Sequence, residues 1–196
     1  GRCLTEAYKR GGYRVKSLSR QADQIRENDL WIDEVYVGEA TSVEDLRGIC
    51  DGVDLVVSAL GITRQQDKVG YDQVDYGANL NLLNEALGSE VKQFVYIHVL
   101  NADRMPNVAL VAAKQKFVDA LTAAPIKSCV ICPSGYFSDL RTFLKMAQKG
   151  KIYLFGQGEL PISPIHGSDL ASIVVEAAER GVSHLDVGGP HAMSQN

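Results

Sequence analysis

The sequence has 196 residues, of which 45% are hydrophobic and 22% are charged, and its formal net charge at pH 7 is −4. These values are typical of globular proteins and exclude disordered, collagen-like and coiled-coil classes. No basic block and no apolar run of about 18 residues occurs, so we expect neither a nucleic acid nor a membrane as partner. The length predicts a single domain over residues 1–196, and with neither a secretory signal nor a membrane-spanning run in the sequence we expect it in the cytoplasm.

Several β-rich segments predict strands, and two of them are nearly continuous apolar runs. The run at 53–60 reads VDLVVSAL and the run at 94–100 reads FVYIHVL. Such runs are typical of strands in a parallel sheet that helices cover on both faces. The predicted strands are 13–19, 34–38, 53–60, 94–100, 126–132 and 185–187.

Helical patterns alternate with these strands. The first helix carries Leu4, Ala7 and Tyr8 on one face and ends at Gly11. Strand–helix alternation predicts a doubly wound parallel α/β sheet. A chain of this type should open with a strand, whereas this one opens within a helix, so we expect the first strand of the fold to be lacking. The other predicted helices are 43–50 after a capping box at Thr41, 76–87, 108–124, and 168–180 with Ser168 as N-cap.

The cysteines and histidines give little indication of a redox or metal site. Cys129 and Cys132 form a CxxC, but it lies within a predicted strand, where residues three apart point to opposite faces. A redox CxxC pair instead lies at the start of a helix. We therefore expect buried thiols in a reducing compartment. The four histidines are scattered without ligand spacing, so no metal site is expected.

Lys114 lies on the apolar side of its predicted helix. It is three or four residues from Leu110, Val111, Phe117 and Val118, which gather on one side of a 3.6-residue period. An unpaired ammonium group on such a stripe is unfavourable when it is buried. Two interpretations remain open. Either the lysine snorkels to the helix edge, or the stripe borders a cleft in which Lys114 meets a polar ligand.

Short motifs occur in an order that is similar to a known family. The chain resembles atypical short-chain dehydrogenases/reductases of the NmrA-like, NAD(P)-binding kind. This resemblance implies a Rossmann-type sheet, with residues 133–165 contributing to a small region that covers the substrate. The motifs are VDLVVSALG at 53–61, VDYGANLNLLNEA at 74–86, FVYIHV at 94–99, KQKFVDAL at 114–121, PSGYFSDL at 133–140, FGQG at 155–158, IHGSDLA at 165–171 and VGGP at 187–190.

The resemblance also implies which residues bind the dinucleotide. Arg20 follows the first predicted strand, at a position where NAD-preferring relatives usually have an acidic residue. An arginine there favours the 2′-phosphate of NADP, although NAD stays possible and a solvated surface arginine is the alternative. Gly1 would be the third glycine of the phosphate loop. The other implied cofactor-binding residues are Glu39 and Ala40 beside the adenine, Ser58, Ala59, Leu60 and Gly61 along the cofactor, Lys114 at the nicotinamide ribose, and Pro133, Ser134 and Gly135 around the nicotinamide.

The catalytic positions depart from the family pattern. His98 stands at the family's serine position and Leu110 at its tyrosine position, and only Lys114 is retained. Because leucine has no proton to give, alcohol–ketone interconversion is not expected. Some resembling enzymes, the isoflavone-reductase-like enzymes and the divinyl chlorophyllide vinyl reductases, reduce carbon–carbon double bonds without that tyrosine. The candidate catalytic residues are therefore Lys114, His98 and Tyr136, with a core role as the alternative for His98, whereas His166 is expected to tie a loop to a helix start.

Three functions are compatible with these residues. The first is an NADP(H)-dependent reductase of a small conjugated substrate. The second is a non-catalytic regulator that binds NAD(P), senses its redox state and reports it to a protein partner. The third is a structural or assembly role without any dinucleotide. The sequence favours the first, because Arg20 and Lys114 both fit a bound NADP(H), and leaves the other two open.

Overall fold

Helices and parallel strands alternate along the chain. The computed structural model describes residues 1–21, 30–62, 70–151 and 158–194. Within these ranges the strands are β1 (Lys16–Ser19), β2 (Glu34–Val37), β3 (Leu55–Ser58), β4 (Gln93–Ile97), β5 (Lys127–Pro133) and β6 (His184–Val187). The α-helices are α1 (Arg2–Arg10), α2 (Asn79–Leu87), α3 (Ala109–Ala123), α4 (Phe137–Gln148) and α5 (Gly167–Glu179), and a π-helix, Asp72–Ala78, directly precedes α2.

Every strand pairing between these strands is parallel, which confirms the predicted α/β class. β1 and β2 form one sheet, and β3, β4, β5 and β6 form a second sheet in that order. Parallel neighbours require crossover connections, and from β3 to β6 the helices between the strands provide them.

A cavity separates the two sheets. It has a volume of about 570 Å³ and is lined by β1, by β3 and by the inner face of α1, with Leu18, Val57 and Tyr8 among its walls. No described residue forms a strand between β1 and β3. The described strands thus form two separate sheets, and the expected lack of a first strand stays a prediction.

The four-stranded sheet is buried on both faces. Along β4, Phe94 and Tyr96 pack with Phe117 of α3, whereas Val95 and Ile97 pack on the other side with Val174 of α5. Successive side chains of β4 enter two different apolar layers, one on each face of the sheet. Both faces of the strand are therefore apolar in the sequence.

The two cysteines of the CxxC lie on opposite faces of β5, as predicted. Cys129 belongs to the apolar layer beneath α5, and Cys132 belongs to the layer beneath α3. Both are buried, and all four cysteines of the chain are free thiols. The motif is therefore not a redox pair in this structure.

The predicted helix at 43–50 is wrong. Only a short 3₁₀ helix, Glu44–Leu46, forms there, and Val43 is 56% exposed instead of facing the core. The backbone leaves the helical region at Arg47, and Gly48 has a φ of +82°, a conformation that ends a helix. The local capping pattern was therefore overridden by the turn that follows it.

Two further differences concern the start of α5 and a helix that the sequence did not predict. The N-cap of α5 is His166 and not Ser168, because the His166 ring accepts a hydrogen bond from the Ser168 amide at 3.3 Å. This contact confirms the expected structural role of His166. Helix α4 was not predicted; it lies within the region 133–165, whose substrate-covering role stays a prediction. In the described ranges, none of the helices combines the length and the apolar character needed to cross a membrane.

Candidate functional site

The amine of Lys114 points into the protein at the carboxyl ends of β3 and β4. It donates to the hydroxyl of Tyr96 and to the carbonyl oxygen of Ile97, both at 3.3 Å, and it lies 3.5 Å from Oδ1 of Asp75. Only 12% of the Lys114 side chain is exposed, and that of Asp75 is fully buried. The interpretation that Lys114 snorkels to the helix edge is therefore wrong. The lysine meets the buried carboxylate of Asp75, which neither interpretation named, and its contact with a ligand stays a prediction.

The Lys114–Asp75 pair is incompletely satisfied. Its separation of 3.5 Å is longer than the roughly 2.7–2.9 Å of a strong charge-assisted hydrogen bond. Oδ1 of Asp75 has no hydrogen-bond partner among the described residues. Burial lowers the pKa of Lys114 and raises the pKa of Asp75, and each charge partly opposes the shift of the other. The pair is therefore held less tightly than a well-packed ion pair.

A buried hydrogen-bond network fixes Asp75 against the end of β3. Ser58 Oγ donates to Asn79 Oδ1 at 2.5 Å, and Asn79 Nδ2 donates to the carbonyl oxygen of Asp75 at 2.9 Å. The amide of Ile62 donates to Asp75 Oδ2 at 3.2 Å. This network joins the turn after β3 to the junction between the π-helix and α2. π-helical turns are frequent at functional sites.

Sequence reasoning did not single out Asp75 and Asn79. Both side chains are fully buried, and they are four residues apart on the face of the helix that also carries Leu82, Leu83 and Ala86. Two polar residues in line with an apolar stripe are the signal that was available, since a buried polar group needs a specific partner.

Gly61 is required by the close approach of this pair. A Cβ atom at Gly61 would lie 2.4 Å from Asp75 Oδ1 and 3.2 Å from Lys114 Nζ. No side chain fits at that distance without movement of the carboxylate. The turn after β3, which was expected to line a cofactor, is therefore built around the same two charges.

Four of the expected cofactor-binding residues lie on the central cavity. Gly1 and Leu60 line it together with Ser58 and Ala59. Gly1 is the N-cap of α1, no side chain caps this end, and the first turn holds no acidic residue. A helix N-terminus of this kind favours an anion, so the assignment of Gly1 to the pyrophosphate of a dinucleotide stays a prediction that this geometry allows.

The other expected cofactor-binding residues follow the carboxyl ends of further strands. Arg20 follows β1 and is exposed. Glu39 and Ala40 follow β2, and the carbonyl oxygen of Ala40 accepts a hydrogen bond from Asn81 at 3.2 Å. This bond ties the end of β2 to α2, the helix that also holds Asn79.

The segment after β5 is held by the fold itself. At the end of β5, Pro133 is buried. The Ser134 amide donates to the carbonyl oxygen of Val187 at 2.9 Å, and the Ser134 hydroxyl donates to the carbonyl oxygen of Ser163. The carbonyl oxygen of Gly135 accepts from the Ile165 amide at 2.9 Å. Tyr136 is half-buried, and burial raises its pKa, so its hydroxyl stays protonated at neutral pH.

His98 lies at the end of β4, but it faces Gln115 and not Lys114. Its Nε2 atom is 3.1 Å from Oε1 of Gln115, and its Nδ1 atom has no hydrogen-bond partner among the described residues. Burial lowers its pKa, which favours the neutral imidazole. Its assignment as a proton donor therefore stays a prediction, as does the assignment of Tyr136.

Comparison with known proteins gives relatives of two kinds. The Photosystem II assembly factor Ycf39 of Synechocystis sp. is 25% identical over 167 residues, which cover 84% of this chain and 49% of that protein. Ycf39 of Cyanidium caldarium is 25% identical over 169 residues, which cover 85% and 54%. The chain thus spans about half the length of the curated relatives it matches.

Solved structures share the fold at low sequence identity. A nucleoside-diphosphate-sugar epimerase from Staphylococcus aureus matches with a TM-score of 0.80 and 14% identity, covering 98% of this chain and 68% of that one. An NADPH-dependent quinone oxidoreductase from Escherichia coli, solved with NADPH, matches with a TM-score of 0.79 and 16% identity, covering 99% and 67%. These neighbours confirm the Rossmann-type architecture. A family model described as NAD(P)H-binding matches residues 1–180, and the chain therefore belongs to the NAD(P)H-binding family.

Proposed function

We propose that this chain is an NADP(H)-dependent reductase of a small conjugated substrate, of the atypical short-chain dehydrogenase/reductase kind. The observation that carries the proposal is the inward amine of Lys114, which lies beside the turn that lines the central cavity. Leu60 lines that cavity, and Gly61, the next residue, abuts Lys114 and Asp75. A cation at the carboxyl ends of parallel strands is well placed for a dinucleotide, because ligands of open α/β sheets bind there.

The chain's own residues fit the parts of the cofactor. The N-terminus of α1, with Gly1, would hold the pyrophosphate, and Arg20 would hold the 2′-phosphate. Ser58, Ala59 and Leu60 line the cavity from the opposite side. When bound, NADPH supplies a hydride, and the protein must then provide a cation and a proton.

Lys114 is the residue best suited to provide both. Its ammonium group can stabilise negative charge that develops on a conjugated carbonyl during reduction. Burial lowers its pKa, which makes the release of a proton from Nζ easier than for an exposed lysine. Leu110 has no proton to transfer, so oxidation of an alcohol is not proposed. The proposed reaction is the addition of a hydride from NADPH and a proton across a conjugated double bond.

The test is NADPH oxidation in the presence of a panel of enones and quinones. Lys114→Met should lower kcat/KM by about 100-fold, the lower range for loss of an acid–base group. Lys116→Met is the matched control, because Lys116 lies on the same helix but is 53% exposed and pairs with Asp72. It should stay within about twofold of the wild type. No turnover with any substrate, despite tight cofactor binding, would refute the reductase.

A second candidate is a non-catalytic regulator that binds NAD(P). Two observations favour it. The nitrogen of Lys114 already lies within 3.5 Å of three protein oxygens, and the relatives at 25% identity carry the name of an assembly factor. In this case the protein would bind one oxidation state of the cofactor more tightly and release a protein partner in response.

Calorimetry separates these candidates. The regulator requires different dissociation constants for NADP⁺ and NADPH without any turnover. The reductase requires turnover with at least one enone or quinone. A purely structural role predicts that neither nucleotide binds. We place all these activities in a reducing compartment such as the cytoplasm, consistent with the free thiols.

A further inference from the structure

Three potential metal ligands meet at the edge of the four-stranded sheet, on the face beneath α3. Cys132 of β5 is paired in register with Asp186 of β6, and His184 lies two residues before Asp186 on the same face of β6. One ligand atom from each residue lies within 4.8 Å of the others. Nε2 of His184 is 3.0 Å from Oδ1 of Asp186.

We propose that Cys132, His184 and Asp186 form a binding site for a divalent transition metal, with Zn²⁺ as the ion. Thiolate, imidazole and carboxylate are the ligand types that zinc prefers. Ligands around tetrahedral zinc lie roughly 3.5 Å apart, as its bond lengths of about 2.0–2.3 Å require. The observed distance of 3.0 Å between Nε2 of His184 and Oδ1 of Asp186 is already close to this spacing.

The surroundings of the three residues are consistent with such a site. Cys132 is buried at 3% exposure, whereas His184 and Asp186 have side chains that are 60% and 62% exposed, so an ion has access from solvent. His98 follows β4 one residue beyond the Ile97–Ile131 pair and is therefore next to Cys132 on this face. It is 5% exposed, and its Nδ1 atom has no partner among the described residues.

The binding step is balanced by the release of one proton. The S–H bond of Cys132 breaks as the sulfur–metal bond forms, and the proton passes to solvent. His184 enters as the neutral imidazole, and its hydrogen bond with Asp186 is replaced by two bonds to the ion. With three protein ligands, the fourth position of a tetrahedral ion is left for water. The site is separate from Lys114 and does not depend on the proposed reductase.

The test uses the metal-free chain titrated with Co²⁺, which reports thiolate ligation through a charge-transfer absorption band. We expect one ion per chain, displacement of the band by Zn²⁺, and loss of the band in Cys132→Ser. His184→Ala and Asp186→Asn should each weaken the affinity at least tenfold. Two controls outside the cluster, His191→Ala and Cys3→Ser, should bind as the wild type does.

Each contrary outcome overturns the proposal. These outcomes are the absence of bound metal, a band that survives Cys132→Ser, or unchanged affinity in His184→Ala. His184→Ala and Asp186→Asn change exposed side chains and should fold as the wild type does. They therefore test the site even if Cys132→Ser fails to fold, which circular dichroism would show.

Discussion

Nζ of Lys114 lies 3.5 Å from Oδ1 of Asp75, a carboxylate without exposed surface. This ion pair connects α3 to the π-helix before α2. Gly61 packs against both charged groups, with no room for a side chain. A lysine that looks misplaced on an apolar stripe is therefore half of a buried ion pair. The pair lies next to the cavity proposed to bind the dinucleotide, and it can be tested for stability and for binding separately.

The first prediction concerns the coupling within this pair. Asp75→Asn leaves the Lys114 charge buried without a counterion and should lower the free energy of unfolding by about 3 kcal/mol. Lys114→Met should lower it less, because the Asp75 carboxyl can take up a proton. Urea denaturation of both single variants and of the double variant measures the coupling. The double variant should lose at least about 1 kcal/mol less free energy of unfolding than the two single losses added together. Additive losses would show that Asp75 and Lys114 do not interact.

A second prediction concerns the space at Gly61. Gly61→Ala places a Cβ atom 2.4 Å from the Asp75 carboxylate and should reduce stability by about 1–3 kcal/mol. Gly70→Ala is the matched control, since a Cβ atom there meets nothing within 4 Å. Thermal unfolding of both variants gives the comparison. Equal melting temperatures for the two would show that the turn after β3 is not packed as described.

The third prediction is a pH dependence that originates at His98. Burial lowers its pKa in the folded protein, so the unfolded chain binds the proton first as the pH falls below about 6.5. Stability should therefore fall as the pH drops from 7 towards 5. His98→Gln should flatten this part of the profile, whereas His191→Gln, at an exposed position, should leave it unchanged. A profile of the same slope in His98→Gln would contradict the assignment.

A fourth prediction concerns the choice between NADP and NAD. Arg20 is exposed after β1, where it is expected to pair with the 2′-phosphate. Arg20→Ala should weaken NADPH binding by about tenfold and leave NADH binding unchanged, because a charged hydrogen bond contributes roughly 1.5–3 kcal/mol. Arg180→Ala, which removes an exposed arginine that pairs with Glu176 away from the cavity, serves as the control. Equal losses of affinity for NADPH and NADH would mean that Arg20 does not bind the 2′-phosphate.

The sheet and its burial were predictable because the signals are local. β4 and β5 are continuous apolar runs, and their alternation placed Cys129 and Cys132 on opposite faces correctly. The position of Lys114 within an apolar stripe pointed to an inward amine for the same reason. In each case the period of the element itself carries the information.

The rest depends on contacts between distant segments. Asp75 meets Lys114 across 39 positions of sequence, and Cys132 meets Asp186 across 54, so no local pattern reveals either pair. The predicted helix at 43–50 does not form because Gly48 adopts a positive φ, and the neighbouring sequence gives no signal of this turn. Tertiary packing decides such cases over local preference.

The most direct test of the proposed nucleotide site is a titration of the protein with NADPH, followed by calorimetry, for the wild type, Lys114→Met and Lys116→Met. We predict saturable 1:1 binding to the wild type and to Lys116→Met, and at least tenfold weaker binding to Lys114→Met. Saturable binding that Lys114→Met leaves unchanged, or no binding to the wild type at all, would contradict the account.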